Sequence, residues 1–301
     1  MDRLLELHRQ LAKNDGYTET GVPEVRLTRA TQCVAKTPVM SEPCIAFALQ
    51  GRKRAFFGGD VLQFDADQYL VVAIPMPFSS ATEASPAEPF LGLTIQVDRS
   101  TLAALMFAVD QSEKEVPAAP KGMMTTRMDA RLRDTVLRLL EILSSPLEAR
   151  VLGPAIVREI CFRVLMGEQG AAMRAALTGQ GQFGRIAKAL RRIHSDYAAT
   201  IDVSTLAAEA SMSVPAFHVH FKSVTHCSPI QYVKSARLHQ ARVLMARSDM
   251  TAQAACAQVG YESASQFSRE FKRFFGRSPS EEADALRRYL APPQTEAAQL
   301  L

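Results

Sequence analysis

The chain has 301 residues, 47% of them hydrophobic, with 35 Lys and Arg against 31 Asp and Glu for a formal net charge of +4. That length accommodates two domains with cores of their own. The longest apolar run, Tyr69–Pro77, is far short of a bilayer span, and MDRLLELHRQ at the start lacks the apolar core of a signal peptide, so a cytoplasmic chain with no membrane partner is expected.

Five cysteines (Cys33, Cys44, Cys161, Cys227 and Cys256) are odd in number and form no CxxC pair. This argues against a disulfide framework or zinc module and for reduced thiols. Residues 180–301 hold 15 Lys and Arg against 10 Asp and Glu, whereas residues 1–179 hold 20 against 21. A basic part attached to a near-neutral one is compatible with nucleic-acid binding.

In chain order, residues 2–13 read as a short helix. From Val25 to Val97 short apolar or alternating runs follow with turn residues between them: Cys44–Leu49, Ala55–Phe57, Val61–Phe64, Tyr69–Ile74 and Phe90–Val97. Gly58-Gly59-Asp60 between two of these runs is a hairpin signal. About six short strands at this spacing suggest a small β-barrel or jelly roll. Pro117–Met124 (PAAPKGMM) reads as a linker. Beyond it Leu132, Val136, Leu139, Leu140 and Leu143, then Ile156, Ile160, Val164 and Leu165, recur at helical spacing. Such a helical pair either mediates dimerisation or covers one face of the β-domain. Gly179, Gly181 and Gly184 mark a joint, after which every run is helical.

The carboxy-terminal part contains an internal echo. FHVHFKSVTHCSP (217–229) returns as FSREFKRFFGRSP (267–279), with Phe217 matching Phe267, Phe221 matching Phe271, Lys222 matching Lys272, Ser228 matching Ser278 and Pro229 matching Pro279. Identities in constant register point to a supersecondary unit used twice. Ahead of each echo lies a second helical pattern, Val203, Leu206, Ala207 and Ala210 in the first copy and Ala254, Ala255 and Val259 in the second, followed by a short turn. Each copy therefore reads as helix, tight turn, helix. Phenylalanines at helical spacing are core residues, so the residues between them face outward. These are Ser265, Gln266, Ser268, Arg269 and Lys272 in copy two, suited to hydrogen bonds with base edges, and Pro215, Ala216, His218, Val219 and Lys222 in copy one, a blunter surface. Ser228–Arg247 reads as one rigid helix between the copies. Since successive major grooves on one face of DNA lie about 34 Å apart, a single chain of this kind covers roughly two helical turns.

Residues 180–290 resemble the DNA-binding domain of the AraC/XylS family of bacterial transcription regulators, whose signature occupies VGYESASQFSREFKRFFGRSPSE (259–281). EPCIAFALQGRKR (42–54) and QYLVVAIPMPFSSATEASPAEPFLGL (68–93) are similar to the amino-terminal domain of one branch of that family. The resemblance implies an α+β chain: a cupin-like β-barrel effector domain over residues 1–116, a linker and helical connector over 117–179, and an all-α DNA-binding domain over 180–301. Its two helix-turn-helix units, about 203–225 and 251–275, are joined by a long helix. It implies base contacts from Pro215, His218, Val219, Ser265, Gln266 and Arg269, with Lys222, Lys272 and Arg273 on the DNA backbone. The expected partners are double-stranded promoter DNA, a small-molecule effector, RNA polymerase if the protein is an activator, and a second copy of the chain. Two positions depart from the family pattern: Ser211 stands where glycine is usual, and Val219 where many members keep a polar or basic residue.

A rival reading is a ligand-binding or metal-dependent barrel enzyme fused to a DNA-binding tail. A metal site of that kind wants two or three histidines with a carboxylate, and residues 1–179 hold only His8. No nucleophile set, Walker pattern or dinucleotide fingerprint appears, so no cofactor and no catalysis are expected. His218, His220 and His226 beside Cys227 do not share a helix face and lack zinc spacing. Candidate effector contacts in the barrel are Cys44, Phe47, Arg52, Phe56 and Tyr69. Phe64 and Phe90 are further lining candidates, each aromatic residue being equally readable as core, and Lys53 and Arg54 join Arg52 in a basic run that either attracts an anionic ligand or is a solvated edge.

Overall fold

The computed structural model describes residues 2–109, 120–168, 170–248 and 250–290. Helix α1 (Arg3–Leu11) starts at Asp2, whose carboxylate caps the Leu4 amide. Nine strands follow: β1 (Gly16–Glu19), β2 (Val25–Ala30), β3 (Val34–Ser41), β4 (Cys44–Gln50), β5 (Arg52–Phe57), β6 (Asp60–Asp65), β7 (Gln68–Val72), β8 (Met76–Glu83) and β9 (Phe90–Gln96). Then come α2 (Arg99–Ala108), β10 (Met123–Arg127), α3 (Ala130–Ile142), α4 (Pro146–Met166) and α5 (Gly170–Thr178). The strands pair antiparallel in two sheets, β1-β2-β9-β4-β7-β10 and β3-β8-β5-β6.

Strands β4, β5, β6, β7 and β9 coincide with the apolar runs of the sequence. No such run marks β1, β3, β8 or β10, because Thr, Lys and Ser interrupt them. Residues 117–119 of the expected linker lie outside the described residues. Its last two residues are a correction: Met123 and Met124 begin β10, which pairs with the edge of β7 and buries Met123. The hairpin expected at Gly58-Gly59 is present. It joins β5 to β6 with φ of +60° and +93° at the two glycines, the left-handed pair that a two-residue type I′ turn requires.

Alternation along β4 gives the six-stranded sheet two buried faces. Ile45 and Phe47 point into a core with Leu27, Leu93, Val136 and Ile160, so α1, α3 and α4 cover that face. Cys44 and Ala48 point the other way, toward Ala55 and Phe64 of the four-stranded sheet. The space between the sheets is the barrel interior. The helical pair thus covers the β-domain, while one side of α4 leaves Leu147, Val151, Leu152 and Phe162 exposed.

Among the described residues everything after α5 is helical: α6 (Gly181–Ser195), α7 (Val203–Glu209), α8 (Val214–Thr225), α9 (Pro229–Arg247), α10 (Ala252–Gln258), α11 (Ala264–Phe275) and α12 (Pro279–Leu290). Helices α7 to α11 each begin at a residue whose side chain accepts from the first turn, in order Asp202, Ser213, Ser228, Thr251 and Ser263. Ser228 and Gln231 complete a capping box, and Pro229 occupies the first turn of α9, where its missing N–H is harmless. These caps explain the sharp boundaries of the repeated unit.

Candidate nucleic-acid interface

In each copy the second helix presents two fully buried phenylalanines inward, Phe217 and Phe221 in α8, Phe267 and Phe271 in α11. The helical period then forces the intervening residues outward. Ser265, Gln266, Arg269, Lys272 and Arg273 are all exposed on α11, and Pro215, His218, Val219 and Lys222 on α8. Gln266 is steered as well as exposed: its Nε2 donates to Glu270 Oε1 at 3.2 Å. Glu270 also accepts from Lys234 Nζ at 2.8 Å and from the Tyr261 hydroxyl at 2.9 Å. Burial alone would raise its carboxyl, but the bonds from Lys234, Gln266 and Tyr261 together hold it below the ordinary carboxylate range. Sequence periodicity does not single out Glu270. The signal that could have found it is an acidic residue next to the inward face of a basic helix. Copy one has Met212 and His220 in the corresponding places, which cannot build a carboxylate network.

The two turns differ by one residue. Residues 210–213 join α7 to α8, and 259–263 join α10 to α11. In both, the residue after the helix cap turns left-handed, Ser211 at φ +54° and Gly260 at +79°. Glycine is required at the second, since a Cβ on Gly260 would lie 2.2 Å from the Ala198 carbonyl oxygen. Ser211 is exposed and has room for its side chain, so it bears only the conformational cost, about 1–2 kcal/mol. Arg237 on α9 spaces the units. Its guanidinium donates to the carbonyls of Tyr197 at 2.7 Å, Ala199 at 2.9 Å and Gly260 at 3.0 Å, tying the second turn to the loop before α7.

The barrel interior forms a cavity of about 770 Å³ that opens onto α9. Cys44, Ala46, Phe64, Leu70 and Val72 line its barrel side and Ala236, His239 and Arg242 its helical side. Lys53 reaches into it because it shares a strand face with Ala55. Of the effector candidates, Cys44, Phe64 and Lys53 line this cavity, and Phe47, Tyr69, Arg52 and Phe56 do not. Phe47 and Tyr69 lie on the opposite sheet face, their rings 5.6 Å apart under the α1, α3 and α4 layer. Arg52 and Phe56 are on the outer face of β5, where Arg52 pairs with Asp65 and Glu83 and Phe56 lies under Lys36. Strand parity is the reason: residues 44 and 47 are an odd number apart, as are 52 and 53. Burial pushes the Cys44 thiol up, away from the reactive thiolate. A second cavity of about 480 Å³ lies beside the first, between α2, α5 and α6, and Glu42 and His194 border both.

No group of three or more potential metal ligands occurs among the described residues. No described helix is long and apolar enough to cross a membrane.

Comparison with known proteins places these features. The regulator AlkR of Acinetobacter baylyi is 35% identical over 94 residues, 31% of this chain and 31% of AlkR, so that match spans about a third of the relative's length. The virulence regulon transcriptional activator VirF of Yersinia enterocolitica is 24% identical over 207 residues, covering 67% of this chain and 76% of VirF. Unsaturated fatty acid bound ToxT from Vibrio cholerae has the same fold, with a TM-score of 0.63 over 90% of this chain and 95% of ToxT at 14% identity. Residues 206–284 match a helix-turn-helix domain. Residues 21–172 match the AraC-type transcriptional regulator N-terminus, and with two helix-turn-helix units behind that domain the chain belongs to the AraC family of DNA-binding transcriptional regulators.

Proposed function

We propose that the protein is an effector-responsive regulator that reads two successive major grooves, with α11 as the main reader and α8 as the weaker one. The observation that carries this is the outward set on α11: Ser265, a Gln266 held by Glu270, and Arg269, flanked by Lys272 and Arg273. Arg269 is suited to guanine and Gln266 to adenine. On α8, Pro215, His218 and Val219 supply shape and methyl contacts, with Lys222 on a phosphate. The test is a selection of genomic fragments by the full-length chain at physiological salt. Enrichment of non-palindromic sites about two turns long is expected, and Arg269→Ala should relax preference at one base pair. Loss of affinity that is equal on every sequence would make Arg269 a phosphate contact instead. Lys222→Ala and Lys272→Ala should weaken binding uniformly and flatten its salt dependence.

The effector reading rests on the larger cavity. Its wall is divided about equally, with apolar barrel residues such as Phe64, Leu70 and Val72 on one part and polar groups including Lys53, Arg242, Glu24 and Glu42 on the other, which suits a small amphipathic molecule with an apolar body and a polar head. At 14% identity ToxT supports the fold, and the ligand class here rests on the lining alone. A molecule touching both the barrel and α9 biases their relative arrangement by its differential affinity. The same reading has the protein acting in the cytoplasm, as an activator that contacts RNA polymerase, and as a homodimer through the exposed Leu147, Val151 and Phe162 side of α4. Sedimentation of Val151→Glu against the wild type tests the last point, since a charge in that stripe should leave a monomer.

A further inference from the structure

His194, on α6, stands where the barrel meets the first helix-turn-helix unit. Its Nδ1 lies 3.0 Å from Oε1 of Glu42, in the turn between β3 and β4. Its Nε2 lies 2.8 Å from the hydroxyl of Tyr232 on α9. Tyr232 in turn donates to the carbonyl of Pro75, between β7 and β8, at 2.8 Å.

Counting hydrogens along this chain leaves little freedom. A carbonyl oxygen only accepts, so the single proton of Tyr232 is committed to Pro75. The Tyr232 oxygen must then accept from Nε2–H. A carboxylate also only accepts, so Nδ1 must carry a hydrogen too. Both ring nitrogens donate only in the imidazolium. If the proton sits on Oε1 of Glu42 instead, the count is unchanged, because the pair still holds one proton more than a neutral imidazole beside a carboxylate.

Glu42 and Pro75 belong to the barrel domain, His194 and Tyr232 to the helical domain. We propose that Glu42, His194, Tyr232 and the Pro75 carbonyl form a proton-locked latch, so that closing the first reading unit onto the barrel takes up one proton. Without that proton one bond is lost: either Nε2 faces an oxygen that cannot donate, or the Nδ1 lone pair faces the Glu42 carboxylate. The loss reaches the reader, because Tyr232 is fully buried and Phe221 of α8 rests edge-on against it at 5.5 Å.

Other charges surround the latch. Glu24, Asp98, Arg99 and Arg191 share the wall of the smaller cavity with His194. Arg26, Cys44, Lys53, His239, Arg242 and Arg247 share that of the larger. Three of the cations are already engaged, Arg26 with Glu19 at 2.8 Å, Arg191 with the Ala176 carbonyl at 2.8 Å and Arg242 with Glu282 at 3.2 Å. Glu42 is the carboxylate in contact with the imidazole.

The latch stands on these bonds and not on any reading of DNA or effector, so it is tested on closure itself. Small-angle scattering and amide exchange, the latter corrected for intrinsic rates, would follow the full-length chain from about pH 5.5 to 8.5, the range in which imidazoles titrate. A compact chain at the acid end should open as pH rises, with its closing constant falling by up to about tenfold per pH unit for one linked proton. Protection of α6 and of the segment around Pro75 should fall in step. Glu42→Gln is the discriminating variant, because an amide donates to the Nδ1 of a neutral imidazole and restores both bonds without the extra proton. It should stay closed at pH 8.5. A wild type whose radius and exchange do not change across the range overturns the proposal, as does a Glu42→Gln chain that opens with the wild-type profile or is open throughout.

Discussion

The two helix-turn-helix units share a skeleton and differ in what lies behind them. Phe217 and Phe221 of the first belong to a core that runs on through Tyr232 and Ile186 to the barrel residues Ile74, Phe64 and Cys44. Phe267 and Phe271 of the second close a separate core with Leu238, Met245 and Val259. Even the helix ends repeat this difference. Both second helices finish in a left-handed residue, His226 at φ +59° and Gly276 at +78°. His226 packs edge-on against Phe57 at 4.3 Å beneath the β5–β6 hairpin, where a Cβ on Gly58 would lie 2.0 Å from its Nδ1. A Cβ on Gly276 would meet nothing within 4 Å. Duplication supplied two similar modules, and packing against the barrel committed one of them to the interface.

The sharpest way to break this comparison is to empty each core in turn. Phe221→Ala and Phe271→Ala should each cost about 3–5 kcal/mol. Calorimetry should show Phe221→Ala lowering the melting of the whole chain and Phe271→Ala that of a carboxy-terminal transition alone. Identical traces for both would mean that the two cores melt as one.

Acid should weaken both sides by separate residues. His8 is fully buried against the Gly92 carbonyl at 2.9 Å, and burial lowers its pKa to about 4. The unfolded chain binds a proton there near pH 6.5 while the folded chain does not, so stability is intact above that pH and is lost as pH falls toward 4, up to about 3 kcal/mol. His239, wedged against Phe274 and Phe275 of the second unit, is lowered in the same direction by burial. His8→Gln should flatten the acid dependence of the barrel transition and His239→Gln that of the second unit, as followed by denaturant titration from pH 7 to pH 4.5.

On DNA the asymmetry reverses. Arg269→Ala should cost about 1–3 kcal/mol at one base pair, and Val219→Ala much less, in competition binding against single-base variants of a selected site. The smallest effect concerns the turns: Ser211→Gly should stabilise the first unit by about 1 kcal/mol by relieving its left-handed serine. Gly260→Ala should destabilise the second by more, because its Cβ also meets the Ala198 carbonyl.

The helical half is largely legible in the order of its residues. The echo at 217 and 267 locates α8 and α11, and the breaker-free stretch between them is α9, because helical period and capping residues are local properties. The outward residues of α11 follow from the same period. The barrel yields less. Its strands β1, β3 and β8 carry too many polar residues to stand out, and residue type alone suggests effector contacts, although strand parity decides which of them face the cavity.

The sequence alone determined the repeated unit, its caps and turns, the polarity of each reading face and the family, since each of these depends on residues within a few turns of one another. Tertiary structure alone decided which reader the barrel clasps, that Lys234 of α9 anchors Glu270, and that Glu42, His194, Tyr232 and Pro75 meet. Those contacts join residues as far as 157 positions apart, and no local pattern encodes a hydrogen bond whose partners are brought together only when two domains pack.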